Sequence, residues 1–264
     1  MKNKICLFTV FFFAIQFTCV AQKIPYDNNP AAGKYAPING IKLYYETYGS
    51  GEPLIMLHGN GGNLSAFEKQ IPFFAKYYKV IAIDSRLQGK SGGSEDSLSY
   101  NMMADDFCAL LEYLKLDSVY VLGWSDGGIN AIIMAMHCPK KIKAIAITGA
   151  NTVPDSTAIS AADIQGMKDF VADKKTSKKD RTLNQMMIDQ PNIAYADLGK
   201  IKCRALVMAG DHDVIKLEHT LKIYQSIPGA QLCIFPNSPH HVCQVHPELF
   251  NKTVYDFFRK LSSK

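Results

Sequence analysis

Much is scarce in this chain of 264 residues. It holds one tryptophan, no Cys-x-x-C pair, no block of like charge long enough to dominate, no internal repeat and no low-complexity tract. Lacking repeats and biased tracts, it is neither a solenoid nor a disordered or fibrous protein. Basic residues exceed acidic ones by only 29 to 24, spread along the chain, which is too weak a field for a nucleic-acid partner. Without paired Cys and His at ligand spacing, no zinc site is expected, and no metal or other cofactor is implied. What remains is an ordinary folding composition, 47% apolar and 20% charged, of a size for one large domain.

The first residues differ from the rest. Lys2 and Lys4 precede an apolar stretch over 5–20, and Cys19, Val20 and Ala21 supply small residues before Gln22. A basic start, a short apolar run and a small-residue site predict a signal peptide over residues 1–21, cut after Ala21. The mature chain, 22–264, is then expected outside the cytoplasm, secreted or periplasmic, with no membrane span of its own. An uncleaved N-terminal anchor is the alternative. A lipid on Cys19 fits less well, because Phe17 and Thr18 follow Gln16 where Leu would be expected. Beyond the signal lie Cys108, Cys138, Cys203, Cys233 and Cys243, an odd number set in apolar runs. They read as buried thiols, with room for at most two disulfides and the pairing open.

From about residue 36 strand-like and helix-like segments alternate. Asn39-Gly40 predicts a tight hairpin turn, since both positions of such a turn need positive φ. Short apolar runs follow at 54–57, 80–83, 119–122, 142–147, 205–208 and 232–235, the pattern of parallel strands buried on both faces. Segments 64–77, 101–115, 127–137, 217–227 and 247–261 carry apolar residues at helical spacing. Together they predict a doubly wound α/β sheet of about eight strands in one domain. Residues 151–200 break the rhythm: they are polar and Lys-rich, offer helices but no strand, and read as a short helical cap inserted in the domain.

In such a sheet the chemistry lies in the loops at the carboxyl ends of the strands. After 119–122 the chain reads Gly123-Trp124-Ser125-Asp126-Gly127, a G-x-S-x-G elbow whose glycines allow a turn sharp enough to expose a serine hydroxyl. A serine needs a base, and the base an acid to orient it. Asp211 and Asp213 follow 205–208, and His240, His241 and His246 follow 232–235. His58-Gly59-Asn60-Gly61-Gly62 after 54–57 is a tight turn able to present backbone N–H groups to an oxyanion.

These four loops, in the order Ser, acid, His, resemble the α/β-hydrolase family from about Gly40 to the C-terminus. The resemblance implies Ser125 as nucleophile. It selects Asp213 over Asp211 by its distance from Gly210, and His240 over His241 and His246 by its distance from Pro247-Glu248. It also implies the amides of Asn60 and Asp126 as oxyanion donors. His58 is expected to brace its turn, Trp124 to pack beneath the elbow, and Leu87, where many members have Gly, to reshape one wall. The run 174–181 reads as a solvated face, and Met167, Met186 and Met187 as pocket lining or glue for the cap.

The expected activity is hydrolysis of small to medium carboxylic esters through an acyl-enzyme, the partner being a small-molecule ester. Other chemistry of the family (carbon–carbon, lactone or amide hydrolysis, or perhydrolysis) and ligand binding without turnover on the same scaffold use the same residues. A serine at the elbow speaks against dehalogenation, which the resemblance links to Asp.

Overall fold

A computed structural model describes residues 24–262, with side chains to residue 259; the expected signal peptide lies outside the described residues. The hairpin forms as the Asn-Gly turn dictates: β1 (Gly33–Ile38) pairs antiparallel with β2 (Ile41–Tyr48), and Asn39 and Gly40 take φ of 43° and 79° between them. Then come β3 (Pro53–Leu57), α1 (Ile71–Phe74), β4 (Lys79–Ile83), α2 (Tyr100–Tyr113), β5 (Val119–Trp124), α3 (Asp126–His137) and β6 (Ile142–Thr148). The cap holds α4 (Ala161–Ala172), α5 (Lys178–Asp189) and α6 (Tyr195–Leu198). The chain closes with β7 (Arg204–His212), α7 (Leu217–Ser226), β8 (Gln231–Pro239), α8 (Val242–Val245) and α9 (Pro247–Ser262).

The eight strands form one sheet in the order β1-β2-β4-β3-β5-β6-β7-β8, antiparallel through β2/β4 and parallel from there on. Alternate residues of each inner strand feed opposite layers, as the two-residue period of a strand requires. Ile55 and Leu57 join Val121, Phe107 and Ile132 on the α2/α3 side, while Leu54 and Met56 join Leu122, Phe74 and Phe258 on the α1/α9 side. Two layers of helices on a parallel sheet explain why the central runs are apolar without alternation.

Two expectations change. The helix expected over 64–77 is broken into a 3-10 turn, Leu64–Phe67, and the four-residue α1, which has Pro at its start. Proline lacks the N–H that would continue an earlier helix and suits a first turn. Nor are the five cysteines all thiols: Cys108 of α2 and Cys138 at the end of α3 form a disulfide, leaving Cys203, Cys233 and Cys243 free. The packing of α2 against α3 brings together two residues 30 apart in sequence, a proximity invisible in the sequence alone.

Candidate active site

β5 ends in a turn that no ordinary residue run could make. Ser125 sits at φ 55°, ψ −120°, a strained conformation for a residue with a side chain. Room for the turn comes from the flanking glycines: a Cβ on Gly127 would collide with the Leu57 carbonyl, and one on Gly123 with the backbone of Gly127. The turn is held by Ser125 N–H donating to the Thr148 carbonyl at 2.9 Å, and its C=O accepts the Gly128 and Ile129 N–H groups as α3 starts. The hydroxyl is thereby left facing the cap.

His240 and Asp213 come to it from the ends of β8 and β7. His240 Nε2 lies 2.9 Å from Ser125 Oγ, and Nδ1 lies 2.6 Å from Asp213 Oδ1. Asp213 Oδ1 also accepts the Ile215 N–H at 2.9 Å, which fixes the carboxylate from its own loop. The imidazole needs space beside β6, and Gly149 supplies it: a Cβ there would stand 2.7 Å from His240 Cε1. Asp211, by contrast, accepts the Asn237 and Ser238 N–H groups at 2.9 Å and is held below the usual carboxylate range by them. It fastens the loop, while exposed His241 and half-buried His246, which reaches the Asn237 carbonyl at 3.3 Å, stay outside the relay.

The turn after β3 is braced as expected. His58 is buried, accepts the Ser85 N–H at Nε2 (3.0 Å) and so carries its proton on Nδ1, 2.7 Å from the Gly59 carbonyl. Burial lowers its pKa to about 4, which keeps it neutral and out of acid–base work near neutral pH. Gly61 N–H donates to Gln88 Oε1 at 2.7 Å, so the loop after β4 supports the turn through Gln88. Leu87, expected to form a wall, is buried at φ 64° and is not among the residues lining the cavity over Ser125. Its N–H is turned instead to the Gly92 carbonyl. Among the described residues the N–H groups of Asn60 and Asp126 have no hydrogen-bond acceptor; that of Asp126 opens α3, where the first N–H groups have no partner in the helix.

The sequence pointed to the backbone N–H of Asp126 and not to what its side chain does. The carboxylate is buried, accepts the Tyr100 hydroxyl at 2.7 Å and the Asn60 side-chain amide at 2.9 Å, and has its pKa raised by burial. Asn60 also donates to the Leu183 carbonyl of α5 at 3.3 Å. One amide thus joins the β3 turn, the elbow and the cap. Tyr100, the first residue of α2 after the Ser99 cap and 26 residues before Asp126, carried no sequence signal for this contact.

A cavity of about 250 Å³ opens over Ser125 and His240, lined by Ile159, Met167, Met187, Val214 and Ile215 on one side and by Tyr100, Asp126, Asn151 and Asp163 on the other. Met167 and Met187 line it, whereas Met186 is buried in the core, so the three methionines divide between the two roles foreseen. The run 174–181 is largely solvated, with Lys178 paired to Asp96. Among the described residues no lysine or arginine lines this cavity, and no cluster of His, Cys, Asp and Glu could hold a metal ion.

The sheet order, the elbow and the Ser–His–Asp geometry define an α/β hydrolase. The family model for the alpha/beta hydrolase fold matches residues 52–187, and the chain belongs to that family. It is similar to serine hydrolase BPHL of Homo sapiens, 26% identical over 249 residues and 84% of each chain. It is also similar to the 2-hydroxy-6-oxo-6-phenylhexa-2,4-dienoate hydrolase of Burkholderia cepacia, 25% identical over 83% of this chain and 92% of that one. Among solved structures, a hydrolase from Pseudomonas aeruginosa PA01 shares the fold with a TM-score of 0.77 at 19% identity, covering 87% of this chain and 99% of the other.

Proposed function

We propose that this hydrolase cleaves small to medium neutral carboxylic esters through an acyl-enzyme at Ser125. The observation that carries this reading is the unbroken relay from Ser125 Oγ through His240 to Asp213, at 2.9 and 2.6 Å, under a cavity of about 250 Å³. His240 Nε2 takes the serine proton as Oγ attacks the ester carbonyl, and Asp213 holds the ring and stabilises the imidazolium. The carbonyl oxygen becomes an oxyanion between the Asn60 and Asp126 N–H groups. The same imidazolium protonates the departing alkoxide. Water, giving its proton to the neutral ring, then attacks the acyl-serine; as the acyl C–Oγ bond breaks, the imidazolium returns the proton to Ser125 Oγ and the acid leaves the free enzyme.

Charge selects among the reactions open to the fold. The relative from Burkholderia cepacia is named for a dienoate, an anion. This cavity presents the carboxylates of Asp126 and Asp163 and, apart from the imidazole of His240, no basic side chain, so a substrate carboxylate would face like charge with no lysine or arginine to neutralise it. Apolar Ile159, Met167, Met187, Val214 and Ile215 suit an uncharged acyl group. The test compares p-nitrophenyl butyrate with the p-nitrophenyl monoester of succinic acid. The neutral ester should be turned over with kcat/KM at least about ten-fold higher; equal or better turnover of the anionic one would overturn the assignment. A burst of one equivalent with no steady state would favour ligand binding without turnover.

We also propose export of the mature chain. Support comes from the basic and apolar start of the sequence and from the Cys108–Cys138 disulfide, which persists in oxidising compartments. Expression with residues 1–21 present should yield protein beginning at Gln22 outside the cytoplasm; an uncut N-terminus would favour the anchored alternative.

A further inference from the structure

We infer that Trp124 is a positioning residue: its indole N–H holds the backbone of the loop that carries His240 and so sets where the imidazole stands over Ser125. The inference rests on the serine-hydrolase reading above.

The residue beside the serine was expected to pack beneath the elbow. Its Nε1 instead donates to the His240 carbonyl oxygen at 3.0 Å, with the indole and imidazole centroids 5.9 Å apart and tilted by 49°. A packing role needs only an apolar ring, whereas a directed N–H to C=O bond fixes the main chain of one residue. His240 lies just past the last paired residue of β8, Pro239, which meets His212 of β7 beyond a register shift between Gly210 and His212, and it precedes a helix of only four residues. Asp211 pins the loop on its approach, at Asn237 and Ser238, and Trp124 pins it at His240 itself.

The imidazole's own contacts are to the two groups with which it exchanges or shares a proton, so they change as the reaction proceeds. On becoming an imidazolium it is drawn toward Asp213 and no longer accepts from Ser125. A tether to the main-chain carbonyl does not depend on ring protonation and keeps Nε2 in place for the return of the proton. Trp124 suits this task because it is large, stiff and rooted in β5 directly before Ser125. The indole also stands beside the β3 turn: a Cβ on Gly59 would lie 3.5 and 3.6 Å from its Cε3 and Cδ2 atoms. One side chain therefore spaces the turn bearing Asn60, the elbow bearing Ser125 and the loop bearing His240.

Trp124→Phe keeps a flat ring and removes the N–H. Trp124 does not line the cavity, so the expected result for p-nitrophenyl butyrate is kcat lower by about ten-fold with KM within about two-fold. Unchanged kcat, or a loss confined to KM, would overturn the inference. Should the variant fail to fold, the wild-type protein answers: its single tryptophan gives one indole N–H signal in a 15N-labelled sample. That proton should exchange slowly with solvent and shift when Ser125 is phosphonylated, whereas exchange at the rate of free indole would overturn the tether. Ser125→Ala separates the two levels. Turnover surviving in Ser125→Ala strikes the serine mechanism, while full kcat in Trp124→Phe beside an inactive Ser125→Ala strikes the tether alone.

Discussion

Helices α3 and α4 have twelve residues each and face the same cavity, yet they are built in opposite ways. In α3 every residue from Asp126 to Ala135 is buried, whereas α4 buries none. The first lies between sheet, α2 and the disulfide; the second rests on α5 and on a small cluster of Ala158, Ile159 and Ile215, with Phe170 open to solvent. Strain such as that at Ser125 persists only where surrounding packing over-determines it, which α3 provides and α4 does not. On the function proposed above, the difference teaches where each task would sit: reacting groups on the locked helix and strand ends, and substrate fit on a cap held by few buried contacts.

Substitutions on the two sides should therefore differ in kind. The largest effect is expected from Asp213→Asn, which leaves the carboxamide in place but favours the wrong imidazole tautomer. Ester turnover should drop by about 10⁴-fold, and a loss below ten-fold in a steady-state assay would break the assignment of Asp213. Gly149→Ala comes next, since its Cβ would press on the imidazole and the residue already has φ of 64°. A displacement approaching an ångström predicts about 10²-fold lower kcat, measured beside KM for the same ester.

Stability distinguishes the helices themselves. Met134→Ala, in the buried face of α3, should cost about 3 kcal/mol in denaturant unfolding. Met167→Ala, at a half-buried position on the mostly exposed α4, should cost below about 1 kcal/mol while changing the preference between short and long acyl chains. Equal stability losses would erase the contrast. Replacing Cys108 and Cys138 together by Ser opens a loop of 30 residues and should remove about 3 kcal/mol. The bridge lies at the end of α3 remote from Ser125, about 18 Å along the axis, so kcat at moderate temperature should stay unchanged.

The same contrast governs what was legible in the sequence. Strand runs and elbow glycines are local consequences of burial and of a turn that excludes side chains, so Ser125, the β3 turn and the cap interval could be read directly. Asp213 and His240 needed the family resemblance, because nothing local separates His240 from His241. The side chain of Asp126, its partners Tyr100 and Asn60, the Cys108–Cys138 pair and the Trp124 tether depend on contacts across 26 to 116 residues. Such contacts leave no mark in spacing. Leu87 misled for the same reason: departure from a family pattern marked a position but not the direction its side chain takes.

Labelling of the purified protein with a fluorophosphonate, followed by peptide mass analysis, tests the central claim most directly. One adduct per chain should form on the peptide carrying Ser125, at a rate that falls sharply in Asp213→Asn, and none should form in Ser125→Ala. Absence of an adduct on the folded wild-type protein, or labelling that persists in Ser125→Ala, would contradict a serine nucleophile at this elbow.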